Sequence, residues 1–185
     1  MDNVTFITPT FAVTASMTAD DFREAADLGF QCIVSNLPDG EVEDAPTARE
    51  EAVSAWRSGM AFAHVPVSRH DVFSDAAVER MSDVLRRAAG PVLAHCKSGT
   101  RSAILWAAAS ARAKSVDCVL DATRQAGFDL EFLREELEQQ AERKHWLGGA
   151  SATLDCGSRP KSAHGLTHRP SRADIALIGA AAHAL

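Results

Sequence analysis

The residues with the clearest capacity for chemistry form one short segment, HCKSGTRS, which runs from His95 to Ser102. Cys96 offers a nucleophilic sulfur, and the guanidinium of Arg101 is a planar fork of N–H donors that matches the oxygens of a tetrahedral anion. Gly99 allows the backbone to approach such an anion closely. Positive charge nearby favours the thiolate form of a cysteine. The segment therefore predicts attack by the Cys96 thiolate on a centre whose oxygens lie in the loop.

The remaining residues of the segment are assigned supporting roles. The candidates for substrate binding are Lys97, Ser98, Gly99, Thr100 and Ser102. Ser102 either caps the following helix or donates to the Cys96 sulfur, and Lys97 either adds positive potential or is simply solvated. His95 precedes the nucleophile, so in a strand its side chain points to the opposite face from that of Cys96. We expect His95 to organise the loop and not to act as a base.

The elements around the segment alternate between strands and helices, which indicates an α/β fold with a mainly parallel sheet flanked by helices. Thr18 with Asp21, and Thr47 with Glu50, have the spacing of capping boxes at helix starts. An apolar strand before Cys96 and an apolar helix after it aim backbone N–H groups and the helix dipole at the loop. Strands are predicted at 4–7, 11–13, 30–35, 60–67 and 91–94, and helices at 18–29, 47–59, 74–90, 102–113, 115–126 and 129–144.

Composition limits the classes of function. The chain has 185 residues, of which 46% are hydrophobic and 24% charged, with a formal charge of −6. We expect a catalytic domain over 1–147 and a disordered tail over 148–185. The negative charge argues against nucleic-acid or membrane partners, and no apolar run reaches the length of about 18 residues that a membrane span requires.

The cysteines and histidines indicate a protein of the reducing cytoplasm without a metal or another cofactor. The four cysteines, Cys32, Cys96, Cys118 and Cys156, are widely spaced, as are the seven histidines, so neither set has the spacing of metal ligands. Free thiols are expected. The oligomeric state stays open at this stage.

The segment from His95 to Ser102 resembles the HC-x5-R-S/T signature of cysteine-dependent phosphatases, but four residues instead of five separate Cys96 from Arg101. A loop of this length is similar to that of rhodanese-type sulfurtransferases. Over residues 4–140, including Trp106 and the run from Pro38 to Glu41, the chain is most similar to the cysteine-phosphatase-like domain found beside, or fused to, beta-lactamase-hydrolase-like proteins of bacterial sulfide detoxification. Members of that family are described both as sulfurtransferases and as phosphatases.

Two departures from the family pattern affect polar positions. Leu37 stands where the family often has arginine, and Ser16 stands where it has glutamine. If those polar groups help to bind the substrate in the family, affinity or specificity differs in this chain.

The two reactions differ in whether they need a general acid. A phosphatase normally uses a carboxylic acid to protonate its leaving group, and the candidates are Asp71, then Asp75 and, less plausibly, Asp39. Asp75 lies in a first helical turn, where it complements the helix dipole, and Asp71 also fits a plain loop carboxylate. A sulfane-sulfur donor expels a stable anion and needs no acid.

The sequence therefore favours a rhodanese-like sulfurtransferase that forms a Cys96 persulfide from thiosulfate or a low-molecular-weight persulfide. Its partners are then a small sulfur-containing anion and an acceptor thiol. The alternative is a phosphatase that acts on a phosphorylated substrate through a phosphocysteine. A second alternative, a non-catalytic module that binds an anion or a phospho-group, would have no use for Cys96.

Overall fold

A five-stranded, mainly parallel sheet forms the centre of the fold in the computed structural model, which describes residues 3–147. The strands lie in the order β1-β2-β5-β3-β4, and only the edge strand β1 is antiparallel to its neighbour. Their bounds are β1 (Thr5–Thr8), β2 (Phe11–Thr14), β3 (Cys32–Ser35), β4 (Ala61–His64) and β5 (Val92–His95). The α/β prediction is confirmed, although β4 is shorter than the predicted strand at 60–67.

Six α-helices overlap the six segments that the sequence predicts to be helical, although α4 begins two residues earlier than predicted and α6 five residues later. They are α1 (Ala19–Asp27), α2 (Ala48–Arg57), α3 (Asp75–Arg87), α4 (Thr100–Ala111), α5 (Val116–Gln125) and α6 (Arg134–Leu147). Both predicted capping boxes are present, at Thr18 with Asp21 and at Thr47 with Glu50. These side chains satisfy backbone N–H groups that a helix start leaves unpaired, which fixes where the two helices begin.

The predicted helix at 129–144 begins later than expected. A short 3-10 helix, Glu131–Leu133, precedes α6. The Asp129 side chain accepts a hydrogen bond from the Glu131 N–H at 3.2 Å, a local turn that competes with helical hydrogen bonding. This side-chain bond accompanies the later start of α6, and the helical phase of the leucines does not reveal it.

The two faces of the sheet pack against different helices. Ile33 and Leu93 point to the layer of α1 and α2, whereas Val34 and Ala94, their neighbours along the strands, point to the layer of α3 to α6. This alternation is the period of two that a strand imposes. Because α4 is buried on nearly every side, it forms the centre of the second layer.

Backbone hydrogen bonds hold the carboxyl ends of the central strands together. The Asn36 N–H donates to the His95 carbonyl at 2.8 Å, and the Asn36 side-chain amide donates to the Val65 carbonyl at 2.9 Å. The end of β5, where the chain enters the segment with Cys96, is therefore fixed against β3 and the residues that follow β4. In the part of the chain described, we find no helix with the length and apolarity needed to cross a membrane. The predicted tail at 148–185 lies outside the described residues.

Candidate active site

Residues 96–101, the nucleophile loop, connect the end of β5 to the start of α4. Gly99 is the N-cap of α4 and has a φ of +84°, in the left-handed region that glycine adopts readily. A Cβ at this position would lie 3.3 Å from the Thr14 carbonyl oxygen in β2. Two features therefore require glycine here: the left-handed turn and the close approach to the neighbouring strand.

The amino terminus of α4 provides donors beside the nucleophile. Gly99 has no side chain to cap the helix, so the N–H groups of the first turn, at Thr100, Arg101 and Ser102, lack a side-chain cap. Together with the helix dipole they favour an anion at this point. Cys96 begins the same loop, and it is fully buried.

Arg101 is anchored by a carboxylate that the sequence reasoning did not assign to the site. Its Nη1 donates to Glu41 Oε2 at 2.8 Å and to the Val67 carbonyl at 2.6 Å, and its Nη2 donates to Glu41 Oε1. These contacts use three of the five N–H donors of a guanidinium and leave Nε–H and one Nη2–H, which lie on one edge. That edge has the geometry of a fork for two anion oxygens.

The other side chains near the nucleophile differ in solvent exposure and in hydrogen bonding. Lys97, Ser98 and Thr100 are exposed, and the Ser98 hydroxyl donates to Thr100 Oγ1 at 3.3 Å. Ser102 is the third residue of α4 and is fully buried, and its Oγ has no hydrogen-bond partner among the described residues. Neither role predicted for Ser102 is present in this structure: Gly99 holds the cap position, and the Ser102 hydroxyl makes no hydrogen bond to the Cys96 sulfur.

His95 points away from the nucleophile loop toward α2. Its ring is fully buried, and Nε2 lies 3.3 Å from Oε1 of Glu51, a carboxylate that is only 2% exposed. Sequence reasoning gave Glu51 no role. The signal was available, since Glu51 lies one turn before the buried Ala55 and therefore on the inner face of the helix.

The three candidate general acids are engaged in other contacts. Asp71 Oδ1 accepts the Ser68 hydroxyl at 2.9 Å as well as the Ser68 N–H, in an exposed turn before α3. Asp39 Oδ1 accepts the N–H of Ala48 at 2.8 Å, at the start of α2. The second oxygen of Asp71, Oδ2, has no partner within residues 3–147.

Asp75 is the least suitable proton donor of the three. Arg143, which donates a hydrogen bond to it, lowers the pKa of Asp75, and Arg112 lowers this pKa further. Because its pKa lies below the ordinary value, Asp75 is ionised at neutral pH. Its contacts are those of a residue that holds α3 against the end of α4 and α6.

The remaining cysteines lie away from the nucleophile loop or outside the described residues. Cys32 begins β3, and burial raises the pKa of its thiol to about 11. Cys118 is partly buried in α5, and Cys156 lies beyond residue 147. Leu37, at the position where the family often has arginine, is buried at 5% exposure, so its side chain packs inside the protein.

A separate open groove lies between α3 and α4, with a volume of about 670 Å³. Its floor includes Phe11, Val92 and Trp106, which are residues at the amino ends of β2 and β5 and in α4. Of the described residues that line this groove, none belongs to the nucleophile loop, so the groove and Cys96 are at different places in the fold.

The sequence and the fold of this chain are similar to those of known proteins. The family model described as the phosphatase-like domain of beta-lactamase hydrolase-like protein matches residues 3–113. A candidate phosphatase from Neisseria meningitidis has 30% sequence identity and a TM-score of 0.63, over 74% of this chain and 96% of that one. The active form of Tk-PTP, at 20% identity and a TM-score of 0.54, covers 77% of this chain and 98% of that one, and shows the cysteine-phosphatase fold alone.

The curated relatives are longer proteins. The beta-lactamase hydrolase-like protein of Agrobacterium fabrum is 33% identical over 124 residues, which are 65% of this chain and 28% of that protein. The corresponding protein of Xylella fastidiosa is 33% identical over 96 residues, which are 52% of this chain and 22% of that protein. The matches thus span about a quarter of each bacterial relative. By its sequence match over residues 3–113 and its cysteine-phosphatase fold, the chain belongs to the family of phosphatase-like domains of beta-lactamase hydrolase-like proteins.

Proposed function

We propose that this chain is a cysteine-dependent phosphatase that hydrolyses a phosphate monoester through a phosphocysteine on Cys96. The observation that carries the proposal is the guanidinium of Arg101 in the first turn of α4, which Glu41 and the Val67 carbonyl anchor through Nη1 and Nη2 while Nε–H and one Nη2–H are left for an anion. The family and fold assignments favour this reaction over the sulfur transfer that the sequence analysis preferred.

The reaction has two displacement steps. The Cys96 thiolate attacks phosphorus while the phosphorus–oxygen bond to the leaving group breaks, and the leaving oxygen takes a proton. Water then attacks the phosphocysteine, which releases inorganic phosphate and restores the thiolate. In both steps the negative charge on the phosphoryl oxygens is stabilised by Arg101 and by the N–H groups of the loop.

Asp71 is the proposed proton donor to the leaving oxygen, because its Oδ2 is uncommitted and its turn follows Val67, the residue that binds Arg101. Leaving groups differ in their need for this proton. We expect Asp71→Asn to slow hydrolysis of an alkyl phosphate much more than hydrolysis of a nitrophenyl phosphate, whose leaving group is already a stable anion. If Asp71→Asn slows the hydrolysis of both substrates by the same factor, Asp71 is not the proton donor.

Sulfur transfer is the second candidate, and two observations favour it. Each of the three candidate proton donors, Asp39, Asp71 and Asp75, accepts a hydrogen bond from another group. A persulfide-forming reaction needs no proton donor. The short spacing between Cys96 and Arg101 points in the same direction.

The two candidates are separated by turnover assays on the same preparation. We expect hydrolysis of nitrophenyl phosphate that Cys96→Ser abolishes, and thiocyanate formation from thiosulfate and cyanide at a much lower rate. Thiocyanate turnover that dominates, depends on Cys96 and is unaffected by Asp71→Asn would establish the sulfurtransferase instead. Binding of phosphate without either turnover would indicate a non-catalytic module.

A further inference from the structure

A carboxylate is buried in the apolar layer between α2 and the sheet. Glu51 is 2% exposed, and the core residues of this layer, which include Ile33, Ala55 and Met60, are hydrophobic. Removing an ionised carboxylate from water costs several kcal/mol unless a partner compensates it. If Glu51 is ionised, a group in the same layer must therefore compensate its charge.

The partner is His95, whose ring is fully buried. Nε2 of His95 and Oε1 of Glu51 are 3.3 Å apart, which is within ion-pair distance, although the two groups are not aligned as a hydrogen bond. An unprotonated ring nitrogen and an ionised carboxylate would repel each other at this distance. A proton must therefore be carried either by Nε2 of His95 itself or by the Glu51 carboxyl group.

The pair formed by Glu51 and His95 lies at the carboxyl end of β5, directly before the nucleophile Cys96. His95 is the last residue of β5 and directly precedes Cys96; it is in register with Thr14 of β2 and Ser35 of β3. Its carbonyl oxygen accepts the Asn36 N–H. The backbone of His95 is thus held from both sides of the strand, and its ring is held by α2.

We propose that Glu51 is a positioning residue for the nucleophile loop, which acts through the imidazole of His95. Neither side chain faces the substrate. By fixing the ring, Glu51 sets the end of β5 and so the starting direction of residues 96–101 relative to the first turn of α4. The inference rests on the proposed function to the extent that Cys96 is the nucleophile of the reaction.

The test compares four variants: Glu51→Gln, His95→Asn, the double variant and the control Glu50→Gln. Glu50 is the exposed neighbour that closes the capping box with Thr47, a role that glutamine also fulfils. With nitrophenyl phosphate we expect Glu51→Gln to lower kcat by about 10-fold with KM changed less than about 2-fold, as for the loss of an orienting partner. Glu50→Gln should leave kcat unchanged.

The double variant distinguishes positioning through His95 from a general structural effect. If Glu51 acts through His95, Glu51→Gln in the His95→Asn background lowers kcat no further. Losses that multiply in the double variant, or a Glu51→Gln variant with wild-type kcat, would overturn the proposal.

A second readout does not depend on turnover. The rate of Cys96 alkylation by iodoacetamide, followed by mass spectrometry, should fall at least about 3-fold in Glu51→Gln, because a displaced loop stabilises the thiolate less well. If the wild-type protein hydrolyses no phosphate ester but this alkylation pattern holds, the proposed function fails and the positioning role stands. If turnover is present and Glu51→Gln changes neither readout, the positioning role fails and the function stands.

Discussion

Replacing Gly99 by alanine tests the close approach of the nucleophile loop to β2. The substitution introduces two costs: a left-handed backbone conformation at φ +84°, and a Cβ that lies 3.3 Å from the backbone oxygen of Thr14. The first costs about 1–2 kcal/mol for a residue with a side chain. The second adds about 1 kcal/mol or more, because Thr14 is held in the sheet between β1 and β5 and has little freedom to move.

Gly127→Ala is the matched control for this variant. Gly127 has a φ of +89°, and nothing lies within 4 Å of the Cβ that alanine would add, so this variant bears the backbone cost alone. We expect Gly99→Ala to lower the free energy of unfolding by about 2–3 kcal/mol and Gly127→Ala by about 1–2 kcal/mol. For a chain of this size, each kcal/mol corresponds to about 2–4 °C in Tm.

The assays are urea denaturation of both variants and steady-state hydrolysis of nitrophenyl phosphate. Only Gly99→Ala is expected to lower kcat, since a loop displaced by a few tenths of an ångström misplaces its donors relative to the phosphoryl oxygens. Equal losses of stability in the two variants, with kcat retained in both, would refute the reasoning that the contact with Thr14 fixes the loop.

Three further predictions concern single contacts. Glu41→Gln should lower kcat/KM by about 10- to 100-fold, because Arg101 loses its charged anchor; wild-type kinetics would contradict this. Cys32 should resist iodoacetamide at pH 7 in the folded protein, since burial raises its pKa to about 11, and equal labelling with and without urea would contradict it. The hydrogen bond from Arg143 lowers the pKa of Asp75, so Asp75→Asn should cost less than about 1 kcal/mol near pH 7 and a smaller amount near about pH 2, as measured by urea denaturation at both pH values. The sign follows because a lowered carboxyl pKa stabilises the fold above the unfolded pKa, and this stability is lost as pH falls; a larger loss at low pH would contradict it.

Local signals in the sequence predict much of the fold. Thr18 with Asp21 and Thr47 with Glu50 mark two helix starts because a capping box is built from residues three positions apart. Such contacts depend on neighbours along the chain, so one sequence is sufficient to detect them. The helix after the nucleophile loop is predicted to begin at residue 102, whereas α4 begins at Thr100 with Gly99 as its N-cap.

Contacts between distant parts of the chain could not be predicted from spacing. Glu41 lies 60 residues before Arg101, and the two meet only because the ends of β3 and β5 are adjacent in the sheet. Glu51 and His95 meet because α2 packs over the face of the sheet to which His95 points. The order of the strands decides both pairings, and that order is a property of the folded chain.

In the proposed reaction, Cys96 forms a covalent bond to phosphorus during turnover. The most direct test is rapid acid quenching of the wild-type protein during hydrolysis of nitrophenyl phosphate, followed by mass spectrometry of the peptide that contains Cys96. We expect this peptide to gain one phosphoryl group, and we expect Cys96→Ser to prevent both the modification and the release of phosphate. Phosphate release that proceeds with Cys96 unmodified, or that persists in Cys96→Ser, would contradict this expectation.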